Sequence, residues 1–263
     1  MKEIKFALYA IKKNIKNNTE LRTSFLMNII GMAINNIAFI VLWVYFVKSV
    51  GIIGGWTTFD VIGLQGFTAL SYGIIFSVAM GVRKLPGYIT SGAFDNFMLS
   101  PKNLITRIAT SIFSVSALGD ILFGLICIII YGFLIHVSLM QSIFILILVF
   151  LSAIIFFSVS LLIQSINFYF VDAESITEGA FGLFFTPSLF HGGAFQGMTR
   201  FIFTFIIPSL LIGAIPIEIV KSISITKLLF LIIFTFFWLF VSIKFFNHSV
   251  KKYESSNFMT FGQ

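Results

Sequence analysis

Long apolar segments, separated by short polar ones, constrain this chain more than any other feature of its sequence. Hydrophobic side chains make up 58% of its 263 residues and charged ones only 10%, whereas about 25% of the residues in a soluble domain are charged. Too few polar groups remain to cover a globule in water. The sequence therefore predicts an all-α, polytopic membrane protein and excludes a soluble enzyme.

Five segments have the length of a membrane-spanning helix, since a hydrocarbon core of about 30 Å needs roughly 20 apolar residues. They are residues 24–47, 61–82, 108–135, 143–171 and 228–246. The stretch 179–220 is long enough for two more crossings, but prolines and glycines interrupt it. The number of spans therefore depends on this stretch.

Lysine and arginine positions favour six spans, because short loops rich in these residues stay in the cytoplasm. Most of the 17 Lys and Arg residues fall in the N-terminal segment, the loop 83–107 and the C-terminal end, and the others are Lys48, Arg200, Lys221 and Lys227. With both termini cytoplasmic in the cell membrane, the number of spans is even. Residues 177–196 then form the fifth span, and residues 201–216 form a broken re-entrant segment in the outer leaflet. Seven spans, with the C-terminal lysines outside, is the alternative.

The N-terminal segment 1–20 has the pattern of an amphipathic helix that lies at the membrane interface. At 100° per residue, Ile4, Leu8, Ile11 and Ile15 share one face, and the lysines of the segment gather on the other. Two interpretations stay open. The helix is either a charged anchor for the first span or a mechanical element between the membrane and a cytoplasmic partner.

Motifs for catalysis and nucleotide binding are missing from the sequence. No glycine is followed by lysine, so the GxxxxGK[ST] phosphate loop does not occur, and neither HExxH nor GxSxG is present. The single cysteine, Cys127, excludes an intramolecular disulfide. We therefore expect a non-enzymatic chain that binds no metal or cofactor of its own. The net charge of +7 indicates membrane topology rather than a nucleic-acid partner.

Polar or helix-breaking residues within the apolar spans are costly in lipid and mark candidate positions along a translocation path. The candidates are Asn35, Asn36, Asp120, Pro187 and His191. Asp120, an ionisable group well inside a span, either contacts cargo or is hydrogen-bonded across helices as structural glue.

Two further clusters each allow a functional and a structural interpretation. The acidic residues Asp172, Glu174 and Glu178 are either solvated helix starts or an acidic vestibule that attracts cationic cargo. A ridge of small residues in the second span lets another helix approach closely, within the subunit or across a dimer. Its members are Ala69, Gly73, Ser77 and Gly81.

Three stretches of the chain carry motifs of a known family. The loop LPGYITSGAFDNFMLSPKN contains a G-x-x-D-x-x-x-L-x-P frame at Gly92, Asp95, Leu99 and Pro101; FTFIIPSLLIGAIPIEIV contains Pro208 and Pro216; KKYESSN lies near the C-terminus. Together they resemble the permeases of the type-2 ABC transporter family, especially its short six-span exporter permeases. The resemblance covers one permease domain, residues 1–257, followed by the tail 258–263.

The resemblance implies a transmembrane subunit that pairs with a second permease, identical or paralogous, and with two separate ATPase subunits that bind ATP and Mg²⁺. The segment 1–20 would be the connecting helix, and Pro208 and Pro216 would lie in an outer re-entrant gate. The loop 84–105 would contain the coupling helix that docks on the ATPase. Its coupling residues would be Gly92, Phe94, Asp95, Phe97, Met98, Leu99 and Pro101.

The implied activity is ATP-driven export of a hydrophobic or amphiphilic cargo such as a drug, a lipophilic cation, a peptide or a lipid. Two other functions fit the composition: an ion-gradient-driven secondary transporter, and a membrane channel or scaffold subunit. The residues alone also leave the short helix expected at 93–99 open to a second interpretation, because Phe94, Phe97 and Met98 suit a helix lying on lipid as well as a docking helix.

Overall fold

The computed structural model describes residues 2–19, 22–51, 54–170 and 173–254, and these residues form helices without a β-strand. The α-helices are α1 (Lys2–Thr19), α2 (Arg22–Val50), α3 (Thr58–Ala79), α4 (Leu85–Thr90), α5 (Asp95–Met98), α6 (Leu104–Ala109), α7 (Ser116–Leu134), α8 (Leu139–Gln164), α9 (Glu174–Ser188), α10 (Gly197–Phe201), α11 (Ala214–Ser222) and α12 (Ile225–Ser249). The predicted all-α class is confirmed.

Five helical stretches are long and apolar enough to cross a membrane, so the chain is a multi-pass membrane protein. They are Thr23–Tyr45, Thr58–Thr90, Ser116–Leu134, Leu139–Phe168 and Ile225–Lys252. Each overlaps one of the five predicted segments. The prediction for 108–135 is wrong at its start, because residues 110–115 are not helical. Polar residues interrupt the helix there, and the Ser114 backbone N–H donates instead to the Ser77 carbonyl over 3.1 Å.

Side-chain caps set where three of the long helices begin. The Thr57 hydroxyl accepts from the Asp60 backbone N–H over 3.4 Å at the start of α3, and Ser138 accepts from Gln141 over 3.3 Å at the start of α8. Ser224 does the same for α12. Each cap satisfies a backbone donor that has no partner within its own helix, and it fixes the boundary between loop and helix.

Helix α3 lies in the middle of the bundle. It packs against α7 and α8, while α2 packs mainly on α7 and also touches α3, and α12 packs on α8. The approach of α3 to α7 needs glycine, because a Cβ on Gly73 would lie 2.8 Å from the Ala117 carbonyl oxygen. The small-residue ridge therefore packs inside the subunit at Gly73.

The bundle has two ends that differ in which segments they hold. We call the end with α1 and residues 84–115, 165–170 and 250–254 the basal end, and the end with residues 54–57, 135–138 and 189–224 the distal end. The two outermost described segments of the chain both lie at the basal end. The Asn14 side chain of α1 donates to the Thr110 carbonyl over 2.9 Å, and the Tyr253 ring packs on Phe94 with centroids 4.6 Å apart.

The predicted fifth span, 177–196, is wrong in its second half. Helix α9 ends at Ser188 and has 15 residues, or about 22 Å at 1.5 Å per residue, which is shorter than the bilayer core. Side chains of α3 take up the carbonyls at its end: Gln65 donates to Leu189 over 3.0 Å and Thr68 to Ser188 over 3.2 Å. Pro187 lies in the last turn, and the chain continues as a loop.

The predicted re-entrant stretch, 201–216, contains a break between helices. After α10 a π-helix runs over Ile202–Ile206, the chain is then irregular, and α11 follows. Pro208 lies in the break and Pro216 in the first turn of α11, where its missing N–H costs no hydrogen bond. Both prolines are buried, and Ser152 of α8 anchors the break by donating to the Ile212 carbonyl over 2.9 Å. How deep this stretch lies in a bilayer stays a prediction.

Candidate functional site

Phe94 holds residues 84–115, which we call the basal loop, against the bundle. Its side chain is fully buried, with ring centroids 5.1 Å from Phe168 and 4.6 Å from Tyr253. Gly92, with φ of +71°, supplies a left-handed residue just before it, which turns the chain inward. The expectation that Phe94 is available to a cytoplasmic partner is therefore wrong. Its ring joins the loop to the ends of the long helices instead.

The large apolar side chains that the basal loop exposes are those of Met98 and Leu99, which we call the basal tip. Met98 is 52% exposed and Leu99 83%. Helix α5 covers only Asp95–Met98, which is shorter than the expected 93–99, and Pro101 follows it on the surface. Phe97 is half-buried, with its ring 5.0 Å from that of Tyr88.

Arg107 supports the basal tip from behind, a role that sequence reasoning missed. Its guanidinium donates to the carbonyls of Phe97 and of Asn96, the latter over 3.1 Å, and it lies 5.7 Å from the centre of the Phe97 ring. A cation at the carbonyl end of a short helix offsets the unpaired acceptors there. The tip is thus held on both sides, by Phe94 and by Arg107.

Helix α1 is fixed to the basal loop while its apolar face stays open. The Asn14 amide donates to the carbonyls of Thr110 and Ser111 over 2.9 and 3.1 Å. Ile4 and Leu8 remain exposed, at 67% and 62%. Of the other predicted face residues, Ile15 is exposed and Ile11 half-buried. Since the bundle does not cover this face, α1 has an apolar surface available to lipid.

The structure brings together two of the predicted translocation residues. Asn36 of α2 donates to the Asp120 carboxylate of α7 over 2.7 Å, and Asp120 is 4% exposed. This contact fits the interpretation of Asp120 as a hydrogen-bonded link between helices. Asn35 is exposed on α2, whereas Pro187 and His191 lie at the distal end of α9. The five candidates therefore do not form one site.

The residues of the acidic cluster also do not form one site. Glu174 is exposed, and Asp172 lies outside the described residues. Glu178 pairs with Arg83, which lies in the 3₁₀-helix that follows α3. Arg83 also donates to the Tyr72 hydroxyl over 3.1 Å and lies 4.0 Å from the Phe181 ring centre. Because Glu178 already has a cation, the cluster offers less charge to cargo than the vestibule interpretation requires.

Ion pairs connect the segments of the distal end, and sequence reasoning missed them. Asp60, only 2% exposed, accepts from the Lys221 ammonium over 2.8 Å and from the Thr57 hydroxyl over 2.9 Å. Glu218 accepts from Arg200 over 2.8 Å and from Lys227 over 3.3 Å. The cations were visible in the sequence, but we used them there only to count spans.

Two loops approach closely beside these ion pairs. A Cβ on Gly54, whose φ is +58°, would lie 2.9 Å from the Gly193 Cα, so glycine is required at this crossing. His191 is buried beside Trp56, with ring centroids 6.2 Å apart. Burial lowers the pKa of the His191 imidazole, which keeps the ring neutral at neutral pH.

No three His, Cys, Asp or Glu side chains within the described ranges are grouped so as to hold a metal ion. A family model described as "ABC-2 family transporter protein" matches residues 33–257. This match confirms the resemblance to type-2 ABC transporter permeases. Neither a curated protein nor a solved structure matches the chain.

Proposed function

Because the chain belongs to the ABC-2 family of transporter proteins, we propose that it is the permease subunit of an ATP-driven exporter in the cell membrane. ABC-2 permeases are generally paired with ATPase subunits, and this sequence has no phosphate loop. Two separate ATPase subunits, with their ATP and Mg²⁺, supply the energy. The cargo is a hydrophobic or amphiphilic molecule that moves outward.

The observation that carries this proposal is the basal tip. Its side chains Met98 and Leu99 are apolar and exposed on a loop next to most of the chain's lysines and arginines, which favours a cytoplasmic position. An ATPase that binds the tip and moves it pushes on Phe94. Phe94 packs on residues that follow α8 and α12, so the motion passes directly into two long helices.

Helix α1 supports the same mechanism as a connecting helix. Its exposed Ile4 and Leu8 rest on lipid at the inner leaflet, while Asn14 binds the carbonyls of Thr110 and Ser111. Helix α1 therefore holds the basal loop, which receives the push, at a fixed position relative to the membrane surface. Displacement of the loop then tilts helices relative to the bilayer rather than moving the whole subunit.

A second copy of this chain completes the permease, and α2 is its contact. One face of α2 is formed by residues spaced alternately by four and three, all of them exposed. Its first five are small or polar, namely Ser24, Asn28, Gly31, Asn35 and Ala38, and Leu42 and Tyr45 follow them. Amide side chains such as Asn28 and Asn35 are costly in lipid, and small residues let helices approach closely. Two copies have the same orientation, so a two-fold axis along the bilayer normal brings each stripe against itself.

The cargo path runs between the two copies, and the segment with Pro208 and Pro216 closes its outer end. The break between the π-helix and α11 lets this segment bend without loss of helical hydrogen bonds elsewhere. Both prolines are buried in protein, as irregular backbone at a membrane must be.

The test replaces the basal tip. Met98→Glu combined with Leu99→Glu is expected to remove the ATPase from the affinity-purified permease and to abolish ATP-dependent cargo release, because charges replace the apolar contact. Leu139→Glu is the matched control, since Leu139 is also 83% exposed but lies at the distal end. Equal ATPase retention and transport in the tip variant and the control would contradict the proposal. Transport that follows an ion gradient without any ATPase would indicate a secondary transporter.

A further inference from the structure

Two adjoining cavities at the distal end share one group of charged residues. Each has a volume of about 360 Å³, and Arg200, Glu218 and Lys227 line both. The first cavity, which we call the polar cavity, is the more polar of the two and also includes Lys221, whereas the second is mainly apolar. A polar cavity joined to an apolar one has the form of a site for an amphiphile.

The polar cavity presents cations, and its carboxylates lie behind them. The side chains of Arg200, Lys221 and Lys227 are 40%, 38% and 46% exposed, whereas those of Glu218 and Asp60 are 17% and 3% exposed. Glu218 already pairs with two cations and Asp60 with the third. A cationic ligand would have to displace these partners. An anion instead meets the N–H donors that the carboxylates leave open.

The apolar cavity is lined by aromatic rings and one polar group without a partner. Phe201, Phe205 and Phe230 form its wall, with the Phe205 and Phe230 ring centroids 5.8 Å apart. Thr204 also lines it and is 5% exposed, and its hydroxyl has no hydrogen-bond partner among the described residues. Leaving a buried hydroxyl without a partner is unfavourable, so a ligand oxygen that accepts from it is stabilised there. Thr204 belongs to the π-helix, an element frequent at functional sites.

We propose that these cavities bind one anionic phospholipid from the leaflet at the distal end. Its phosphate lies among Arg200, Lys221 and Lys227, an ester oxygen accepts from the Thr204 hydroxyl, and one acyl chain lies along the phenylalanine wall. This lipid stays bound at the distal end and is not the transported cargo. It links α10 and α11 to α12, in addition to the ion pairs at Glu218.

Native mass spectrometry of the purified chain tests this site. Phosphatidylglycerol and phosphatidylcholine with identical acyl chains are added separately, and soluble glycerol phosphate is added as a headgroup without chains. We expect phosphatidylglycerol to remain bound at least tenfold more tightly than either of the others. Equal retention of phosphatidylcholine would overturn the role of the cations, and equal binding of glycerol phosphate would overturn the role of the apolar cavity.

Variants locate the lipid within the molecule. Arg200→Gln and Lys227→Gln are each expected to weaken phosphatidylglycerol binding roughly fivefold, and Thr204→Val by a smaller factor. Lys48→Gln is the control, since Lys48 is an exposed cation near the same end and lines neither cavity. Unchanged binding in both cation variants would overturn the proposal. A photoreactive phosphatidylglycerol on the unmodified protein gives an answer that does not depend on folding of variants: labelling of residues 197–206 and 225–234 supports the site, and labelling confined to other helices contradicts it.

Discussion

The basal and distal ends are both built from short, broken helices, but different forces hold them. At the basal end, rings pack around Phe94 and leave Met98 and Leu99 exposed. At the distal end, the buried carboxylate of Asp60 and the partly buried one of Glu218 pair with more exposed cations. Close-packed rings transmit strain, and ion pairs fix particular partners. If the chain works as proposed, the basal end receives the force of the ATPase, and the ion pairs keep the distal segments together while it acts.

The largest expected effect comes from removing the ring that organises the basal end. Phe94→Ala should lower the free energy of unfolding by about 3–5 kcal/mol, because it leaves a cavity among Phe168, Phe246 and Tyr253. Thermal unfolding of the purified chain in detergent measures this loss. Leu99→Ala is the control and should change little, since Leu99 is 83% exposed. Equal midpoints for the two variants would show that the basal end is not organised by Phe94.

Breaking the buried ion pair tests the distal end. Asp60→Asn should lower the free energy of unfolding by roughly 1–3 kcal/mol, because it removes charge-assisted hydrogen bonds from Lys221 and the N-cap at Thr57. The measurement is a double-mutant cycle with Lys221→Met, which isolates the coupling between the two side chains. Strictly additive losses would mean that the pair does not hold the distal end together.

Arg107, which supports the basal tip, should affect the local order of the tip more than the stability of the whole chain. Arg107→Gln weakens the hydrogen bonds to the carbonyls of Phe97 and Asn96. Amide exchange in residues 95–99 should therefore accelerate roughly tenfold, equivalent to about 1.4 kcal/mol of local opening. Exchange measured by mass spectrometry reports this change. The distal residues 214–222 serve as the internal reference and should exchange as before.

The smallest effect is expected between the two ends, at the Asn36 and Asp120 contact. Asp120→Asn keeps a group that can hydrogen-bond to Asn36, so the free energy of unfolding should change by less than about 1 kcal/mol, as is typical of polar contacts between membrane helices. Asp120→Leu removes the contact and should cost more. A large loss of cationic-cargo transport in Asp120→Asn, with normal stability, would instead assign Asp120 to the cargo path.

Sequence reasoning succeeded where a local property decides the outcome. The five long helices follow from the length and apolarity of their segments. Ile4, Leu8, Ile11 and Ile15 fall on helix α1, whose place at the membrane interface stays a prediction. Sequence reasoning failed where contacts between residues far apart in the sequence decide where a helix ends. Helix α9 ends at Ser188 with its terminal carbonyls bound by Gln65 and Thr68 of α3, a contact that no local pattern reveals.

In the candidate sites, too, local patterns were predicted from the sequence and contacts between distant residues were not. The basal loop was located from its motif, but the inward turn of Phe94 depends on packing against Phe168 and Tyr253, which lie far along the chain. The distal ion pair of Asp60 and Lys221 joins residues 161 positions apart. Composition and spacing identify which residues are available for pairing, whereas the pairs themselves follow only from the fold.

The most direct test of the central claim is a photo-crosslinking amino acid at position 99, activated in the native membrane. If the chain is a permease driven through its basal tip, mass spectrometry should identify an ATPase subunit with a phosphate loop attached to residue 99, and the same probe at position 139 should capture none. Capture of lipid alone at position 99, with no ATPase in the purified complex, would contradict the account.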